Sequence, residues 1–315
     1  MARFVKEVTL FLLLQLPLAG WVAYQYTPNE FAYFASVIDK TARLESLPSP
    51  KVVLVGGSNV AYGFDSQLLE SGLGRPVVNM GIHAPFGLDY MLAEVESSLK
   101  PGDLVVVCPE YELLASDLKP ETLVWILELR PHNLAYVPPR QWPGLLDGGL
   151  PYLGSVLRGF GRSPDQRKLR AQALPVMVRS ALDERGDVVG HREWTPPDAR
   201  EHLARIRSGD LFKEGYDTHR LEQAVKTLKD FEHRYQARGA RMVVSLPPTP
   251  QFLYQRHREQ LAGIESALRA SAIPVINSAQ EMIFPAADFY DTIYHLRGPA
   301  IRARTQKVLG GLRAP

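Results

Sequence analysis

The chain has 315 residues, of which 45% are hydrophobic and 22% charged, so it has the composition of a folded protein with ample material for a core. Its 36 Lys and Arg residues balance 34 Asp and Glu residues, which argues against a nucleic-acid-binding protein. The single cysteine, Cys108, excludes an internal disulfide, and no His or Cys spacing is typical of a zinc site. We therefore expect no metal and no cofactor.

Residues 1–27 predict a membrane anchor. Arg3 and Lys6 precede an apolar run from Val8 to about Tyr26, and crossing the hydrocarbon takes roughly 20 residues. A cleaved signal peptide is the alternative, but its apolar core is usually shorter, and no good small-x-small cleavage site follows. Positive charge before the run places the N-terminus inside. We expect a single-pass membrane protein whose domain lies outside the cytoplasm, in the periplasm or its equivalent.

After a juxtamembrane helix and a Pro/Ser connector at residues 28–50, short apolar runs alternate with helical patterns. Nearly continuous apolar strands separated by helices indicate a parallel sheet covered on both faces. We expect a three-layer α/β/α domain of about five parallel strands over residues 51–315. The strands are expected at 51–57, 75–81, 101–110, 241–247 and 273–278, and the helices at 87–100, 217–238 (with Asp217 as N-cap), 252–270 and 298–312.

Residues from about 118 to 215 fit no strand–helix unit. They are rich in Pro, Arg and Trp, yet they contain apolar helical stretches such as "ETLVWILEL". We interpret this segment as an insertion or helical cap of the domain.

Candidate reactive side chains follow the first and last predicted strands. Sites in open α/β sheets form beyond the carboxyl ends of the strands. Ser58 comes directly after the first strand, and Asp291 and His295 come after the last one. A serine hydroxyl becomes a nucleophile when a base removes its proton, and the base needs a carboxylate to orient it. These residues fit the three roles; alternatively, Ser58 caps a helix and His295 is a buried core histidine.

Three motifs follow one another along the chain: "VGGSN" at 55–59, "VVNMGIHA" at 77–84 and "FYDTIYHL" at 289–296. In this order they resemble the motifs of the SGNH, or GDSL-like, hydrolase superfamily. The resemblance covers most of residues 51–312 apart from the insertion, and it implies an SGNH-type, flavodoxin-like fold. It also implies that Ser58 is the nucleophile, His295 the base and Asp291 its orienting acid. The backbone N–H groups of Ser58 and of Ala84, where the family usually has glycine, would stabilise the oxyanion.

The chain departs from the family pattern at two further points. Three residues separate Asp291 from His295, where the family usually has two, so Asp288 is an alternative partner. The third strand ends in "CPEYE", with Glu110 where the family has an oxyanion-binding Asn. An ionised carboxylate cannot donate, and losing one such donor costs about 10²- to 10³-fold in rate. Either Asn59 or Asn79 replaces that donor, or Glu110 points away, or the site is slow or inactive.

By resemblance, the function expected is that of a serine acyl-enzyme acting on ester-linked acyl groups, acetyl above all, of a cell-envelope or exported polysaccharide. Esterase and O-acyltransferase activities share the nucleophile, and the sequence does not separate them. The implied partners are the acylated polysaccharide or another ester, the membrane and a multi-spanning acyl-donor protein. The alternative is a catalytically inactive SGNH-like module that binds glycan or assists assembly in an exopolysaccharide system.

Overall fold

The structure, a computed structural model, describes residues 2–25, 31–116, 123–159 and 176–313. The N-terminal residues form helix α1 (Ala2–Gln25), which contains Pro17. Across the described ranges, no helix combines the length and apolar composition of a membrane span.

The domain is built on a parallel sheet, as its apolar runs predict. Strands β1 (Val52–Gly56), β2 (Val77–Asn79), β3 (Leu104–Cys108) and β4 (Arg241–Val244) lie in the order β2-β1-β3-β4. Val52 of the central strand β1 is paired with Val77 on one side and with Leu104 on the other. All ladders are parallel, so the carboxyl ends of the strands lie at one edge.

The sheet has four strands rather than about five. The run expected at 273–278 contributes a single bridge, Val275 to Val244. The Asn277 side chain then accepts a hydrogen bond from the Leu246 backbone N–H at 2.8 Å, in place of a continued ladder. Beyond β4, the chain forms a short strand β5 (Thr249–Pro250). It pairs in parallel with β6 (Ile283–Phe284).

Helices cover both faces of the sheet. Alternating residues of β1 point to opposite faces: Val53 and Val55 join one buried apolar cluster, while Val52 and Leu54 join a second. Predicted helix 252–270 is divided in two at His257, and Asp217 caps its helix as expected, accepting two backbone N–H groups. The helices after α1 are α2 (Ser36–Ser46), α3 (Ser58–Gly63), α4 (Ser66–Leu73), α5 (Leu88–Glu96), α6 (Tyr111–Ala115), α7 (Val124–Leu129), α8 (Trp142–Gly159), α9 (Ala199–Arg207), α10 (Thr218–Ala237), α11 (Gln251–Arg256), α12 (Arg258–Ala270) and α13 (Gly298–Arg313).

The described parts of the predicted insertion, 123–159 and 176–215, contain α7, α8 and α9 and contribute no strand to either sheet. Residues 117–122 and 160–175 of this segment lie outside the described residues.

Candidate functional site

The turn after β1 is held by the carboxylate of Glu110, which follows β3. Its two oxygens accept the backbone N–H groups of Gly57, at 3.1 Å, and Asn59, at 2.9 Å. A Cβ on Gly57 would lie 2.5 Å from Glu110 Oε1 and 2.6 Å from the Ala84 nitrogen. This position therefore requires glycine because two other segments approach its backbone closely.

Ser58 is the first residue of α3, and Gly57 occupies the N-cap position without a side-chain capping bond. The interpretation of Ser58 as a helix cap is therefore wrong. Within the described chain, its hydroxyl makes no hydrogen bond and its side chain is partly exposed. A partly exposed hydroxyl at a strand end is accessible to a substrate.

Two backbone N–H groups near this hydroxyl are free. Neither the Ser58 nor the Ala84 N–H donates a hydrogen bond to another described residue. Both residues line a cavity of about 250 Å³. Two amides without a partner among the described residues are available to donate to an oxygen atom in the cavity.

The loop before α13 closes on itself and presents the His295 ring. Phe289 and Leu296 form an antiparallel bridge at its base. Thr292 Oγ1 accepts the backbone N–H of His295 at 3.3 Å. Within this frame, His295 Nδ1 lies 2.6 Å from Asp291 Oδ1. The three-residue spacing is therefore compatible with a bonded pair.

The partner of His295 is Asp291 and not Asp288. Asp288 uses its backbone, whose carbonyl accepts the Arg297 N–H at 2.9 Å, and no hydrogen bond links its carboxylate to the described His295 ring. Burial alone would raise the pKa of Asp291, but the hydrogen bond and the charge of His295 outweigh burial, and the net pKa is lowered. The ionised carboxylate favours the proton on Nδ1, which leaves Nε2 as the basic nitrogen.

Tyr62 connects the loop to the serine helix. Its ring stacks on the His295 ring, with centroids 4.0 Å apart and an interplanar angle of 7°. Tyr62 follows Ser58 by four residues on α3, and residues four apart share one helix face. Tyr294, beside His295 in sequence, lines the same cavity as Ser58.

His83, next to Ala84, lies close enough to feel the charge of His295. Burial, and secondarily electrostatic interaction with His295, lowers the pKa of His83 to about 4. His83 is therefore neutral at pH 7, and it contributes packing against Phe34 and Phe86.

The structure brings Ser58, Ala84, Asp291 and His295 to the same end of the sheet. No hydrogen bond joins the Ser58 hydroxyl to His295 among the described residues. Catalytic hydrogen bonds in structures without substrate are often long or poorly aligned.

Asn59 and Asn79, the candidate replacements for the third oxyanion donor, are fully buried and engaged elsewhere. Asn59 Nδ2 donates to the Cys108 carbonyl at 2.8 Å. Asn79 Nδ2 donates to the Val60 carbonyl at 2.9 Å and to Asp187 at 2.7 Å. Neither amide is free to bind an oxyanion, and the Glu110 carboxylate is committed to the turn.

Three buried residues that support the site were not identified from the sequence. His191 Nε2 lies 2.9 Å from both the Tyr62 and the Leu296 carbonyls, so it joins α3 to the final loop. Burial lowers the pKa of His191 to about 4, which keeps its ring neutral. Arg304 donates to the carbonyl and the side-chain oxygen of Asn59, each at 2.6 Å.

The third of these residues is Asp187. Its carboxylate accepts the backbone N–H and the hydroxyl of Ser66 and binds Asn79 and Arg192. Ser66 and Asn79 lie 121 and 108 residues away in sequence, so no local pattern indicates these two contacts.

Carboxylates dominate the remaining wall of the cavity. Glu110, Glu112, Asp210 and Glu214 line it, against one cation, Lys213. Glu112 Oε2 accepts the Tyr294 hydroxyl at 2.5 Å. Burial, and secondarily the charge of Glu110, raises the pKa of Glu112 to about 7.

In the described part of the chain, no group of three or more His, Cys, Asp or Glu side chains is arranged to hold a metal ion. A scan against protein-family models found no match to this chain, and a search of curated proteins found no relative.

Proposed function

We propose that this chain is a serine acyl-enzyme of the SGNH type. It acts on ester-linked acyl groups, acetyl above all, of a cell-envelope or exported polysaccharide, as an esterase or an O-acyltransferase. The carrying observation is the Asp291–His295 pair, bonded at 2.6 Å, with its imidazole stacked on the helix that Ser58 begins. The family likeness of the three motifs and the parallel sheet support the same assignment.

In this mechanism, Ser58 Oγ attacks the acyl carbonyl while His295 Nε2 takes its proton. That step needs the two atoms within about 2.6–3.2 Å. Asp291 stabilises the imidazolium, and the free N–H groups of Ser58 and Ala84 stabilise the oxyanion. The C–O bond to the leaving alcohol breaks as His295 returns the proton to that oxygen, which leaves an acyl group on Ser58.

The acyl group is then transferred to a second hydroxyl compound. Water or a sugar hydroxyl attacks the Ser58 ester, with His295 again taking and returning the proton. Water yields a carboxylic acid, and a sugar hydroxyl yields a new ester.

We also propose that the N-terminal segment holds the domain at the outer face of a membrane, near a multi-spanning acyl-donor protein. Supporting features are the apolar run after Arg3 and Lys6 and the exposure of Phe4, Phe11 and Leu14 on α1. The cavity wall carries Lys213 as its cation, beside Glu110, Glu214 and Asp210, the last of which is paired with Arg256 and His257, so an uncharged glycan is favoured over a polyanionic one.

A fluorophosphonate probe tests the nucleophile on the full chain. We expect the parent protein to be labelled and Ser58→Ala to lose labelling. Ser71→Ala is the matched control, because Ser71 is an exposed serine whose hydroxyl bonds the Gln67 carbonyl on α4. An unlabelled, folded parent would contradict the proposal. Product analysis of an acetyl ester with and without a neutral glycan acceptor then separates hydrolysis from transfer.

The second candidate is a catalytically inactive SGNH-like module that binds glycan or assists polysaccharide assembly. The observation favouring it is the absence of a third oxyanion donor from the candidate set: Glu110 is an acceptor, and Asn59 and Asn79 are engaged. It predicts glycan binding to the folded parent without probe labelling.

A further inference from the structure

Exposed apolar side chains are concentrated in one region outside α1. Among the described residues beyond that helix, every exposed large apolar side chain lies between positions 134 and 177. Leu146, on α8, is 78% exposed, and Trp142, on the same helix, is 49% exposed. Concentrated apolar exposure marks an interaction surface, whereas scattered single residues do not. The residues are Leu134, Trp142, Leu146, Leu153 and Met177.

Helix α8 has two apolar faces. At about 100° per residue, three exposed apolar positions fall within an arc of about 40°. We call these three positions the α8 stripe. Another face packs on the domain, where the Tyr152 ring meets the Trp125 ring of α7 edge-on with centroids 5.6 Å apart. The stripe consists of Trp142, Leu146 and Leu153, all exposed.

The α8 stripe lies near the point where the N-terminal segment joins the domain. The Phe31 carbonyl accepts the Arg179 backbone N–H at 3.0 Å, and Ala32 forms a bridge with Val178. The next residues, Tyr33–Ala35, contact α7, and α7 contacts α8. One helix therefore separates the stripe from the attachment point of the N-terminal segment.

We propose that the α8 stripe inserts into the headgroup–acyl boundary of the bilayer that carries the N-terminal segment. Interfacial helices bury their apolar face about 5–10 Å into this boundary, and Trp is favoured there. The only charged residues of α8 are Asp147 and Arg158. The sequence just beyond the helix is basic, which suits anionic headgroups; its charges are Arg162, Arg167, Lys168 and Arg170 against Asp165.

This contact gives the domain a second attachment to the membrane. A single N-terminal tether leaves the domain free to rotate, whereas tether and α8 stripe together fix its orientation. The cavity at Ser58 then faces a defined direction relative to the bilayer.

The chain offers a clean labelling strategy. Its only cysteine, Cys108, has 0% exposure, so Leu146→Cys places the one accessible thiol of the full-length protein on the stripe. Lys226→Cys on α10 is the control, since that side chain is 75% exposed and lies off the stripe. Each variant carries an environment-sensitive fluorophore and is reconstituted into phosphatidylcholine vesicles with or without phosphatidylglycerol.

We expect the label at position 146 to shift to shorter wavelength and to be quenched by spin-labelled lipid. The label at position 226 should remain quenched by aqueous iodide. Phosphatidylglycerol should strengthen the effect at 146. A label on a Leu153→Cys variant should show the same spectral shift and the same quenching by spin-labelled lipid. This second position tests whether the result depends on the place of the label.

Three results would overturn the inference. In the first, the protein floats with vesicles, but iodide quenches the label at position 146 as strongly as the label at position 226. This result would support the N-terminal anchor and contradict the insertion of the α8 stripe. In the second, the 146 label shifts without lipid in proportion to protein concentration, which identifies a second copy as the occupant. In the third, the protein does not float with vesicles, which removes the anchor as well. Probe labelling at Ser58 is independent of all three.

Discussion

The two halves of the candidate site are held in place by different means. The turn at Ser58 is fixed by a distant side chain, because Glu110 binds the backbone N–H groups of Gly57 and Asn59. The loop at His295 is fixed largely by its own residues, through Thr292 and the Phe289–Leu296 bridge. The loop accommodates three residues between Asp291 and His295, whereas the turn has no space for a single Cβ added at Gly57.

The two halves meet at Tyr62. Its ring stacks on His295, and its carbonyl lies 2.9 Å from His191 Nε2, which also contacts the Leu296 carbonyl. The imidazole is therefore positioned jointly by the loop and by the helix that carries Ser58.

The largest expected effect tests whether the turn supplies the nucleophile. Ser58→Ala should lower kcat/KM for an acetyl ester by about 10⁴-fold or more, because the covalent step is removed. Ser71→Ala should stay within about twofold of the parent, as expected for a surface site. Steady-state hydrolysis measures both variants. Equal activity of Ser58→Ala and the parent would show that Ser58 is not the nucleophile.

The next effect tests the loop. Asp291→Asn keeps the shape but supplies no negative charge to the imidazole, and we expect a loss of about 10³- to 10⁴-fold in kcat. The matched control is Asp288→Asn, which should stay within about threefold because no bond links that carboxylate to His295. Kinetics over a pH series measures both variants. The assignment of Asp291 fails if the two variants are impaired equally.

A glycine pair tests the rigidity of the turn. Gly57→Ala should destabilise the fold by about 1–3 kcal/mol, because its Cβ would lie 2.5 Å from Glu110 Oε1. Gly310→Ala, in α13 with nothing within 4 Å of the added Cβ, should be stabilising by about 0.5–1 kcal/mol. Denaturant unfolding gives both values. If both variants had similar free energies of unfolding, the backbone at Gly57 would be able to shift and accept the added Cβ, and the turn would not be rigid.

The smallest effect concerns Glu112, which joins the third strand end to the loop through Tyr294. Burial raises its folded-state pKa from 4.5 to about 7, so the folded protein holds this proton more tightly than the unfolded chain. The stability from this group is complete below the unfolded pKa and is lost as the pH rises through about 7.

On going from pH 5 to pH 8, the free energy of unfolding of Glu112→Gln should therefore rise by about 1–2 kcal/mol relative to that of the parent. Unfolding by denaturant at the two pH values measures the difference. As the control, Glu214→Gln, at the exposed rim, should show no such change. If the difference in free energy of unfolding between the parent and Glu112→Gln were the same at both pH values, the raised pKa of Glu112 would be contradicted.

Local signals made the strand ends, the position of Ser58 directly after β1 and the contact between Asp291 and His295 predictable. A β-branched run stopped by glycine marks a strand end, and Asp217 marks a helix start, because both depend on neighbours in sequence. The roles of Glu110, His191 and Arg304 were not predictable, since each acts on a backbone or side chain far away along the chain. Arg304, for example, binds Asn59 from 245 residues away.

The same reasoning explains the strand count. Residues 273–278 have the composition of a strand, but Asn277 binds the Leu246 N–H with its side chain and ends the pairing after one bridge. Composition predicts that residues 273–278 tend to form a strand, but the contact between Asn277 and Leu246 limits their pairing to one bridge.

The Asp187 carboxylate has a practical consequence for shortening this protein. It lies within the segment that interrupts the strand–helix alternation, yet it binds Ser66 and Asn79 of the central fold. Excising that segment as a block would strip these groups of their acceptor and would remove His191 from between Tyr62 and Leu296. A minimal version of the molecule must therefore retain residues 181–192.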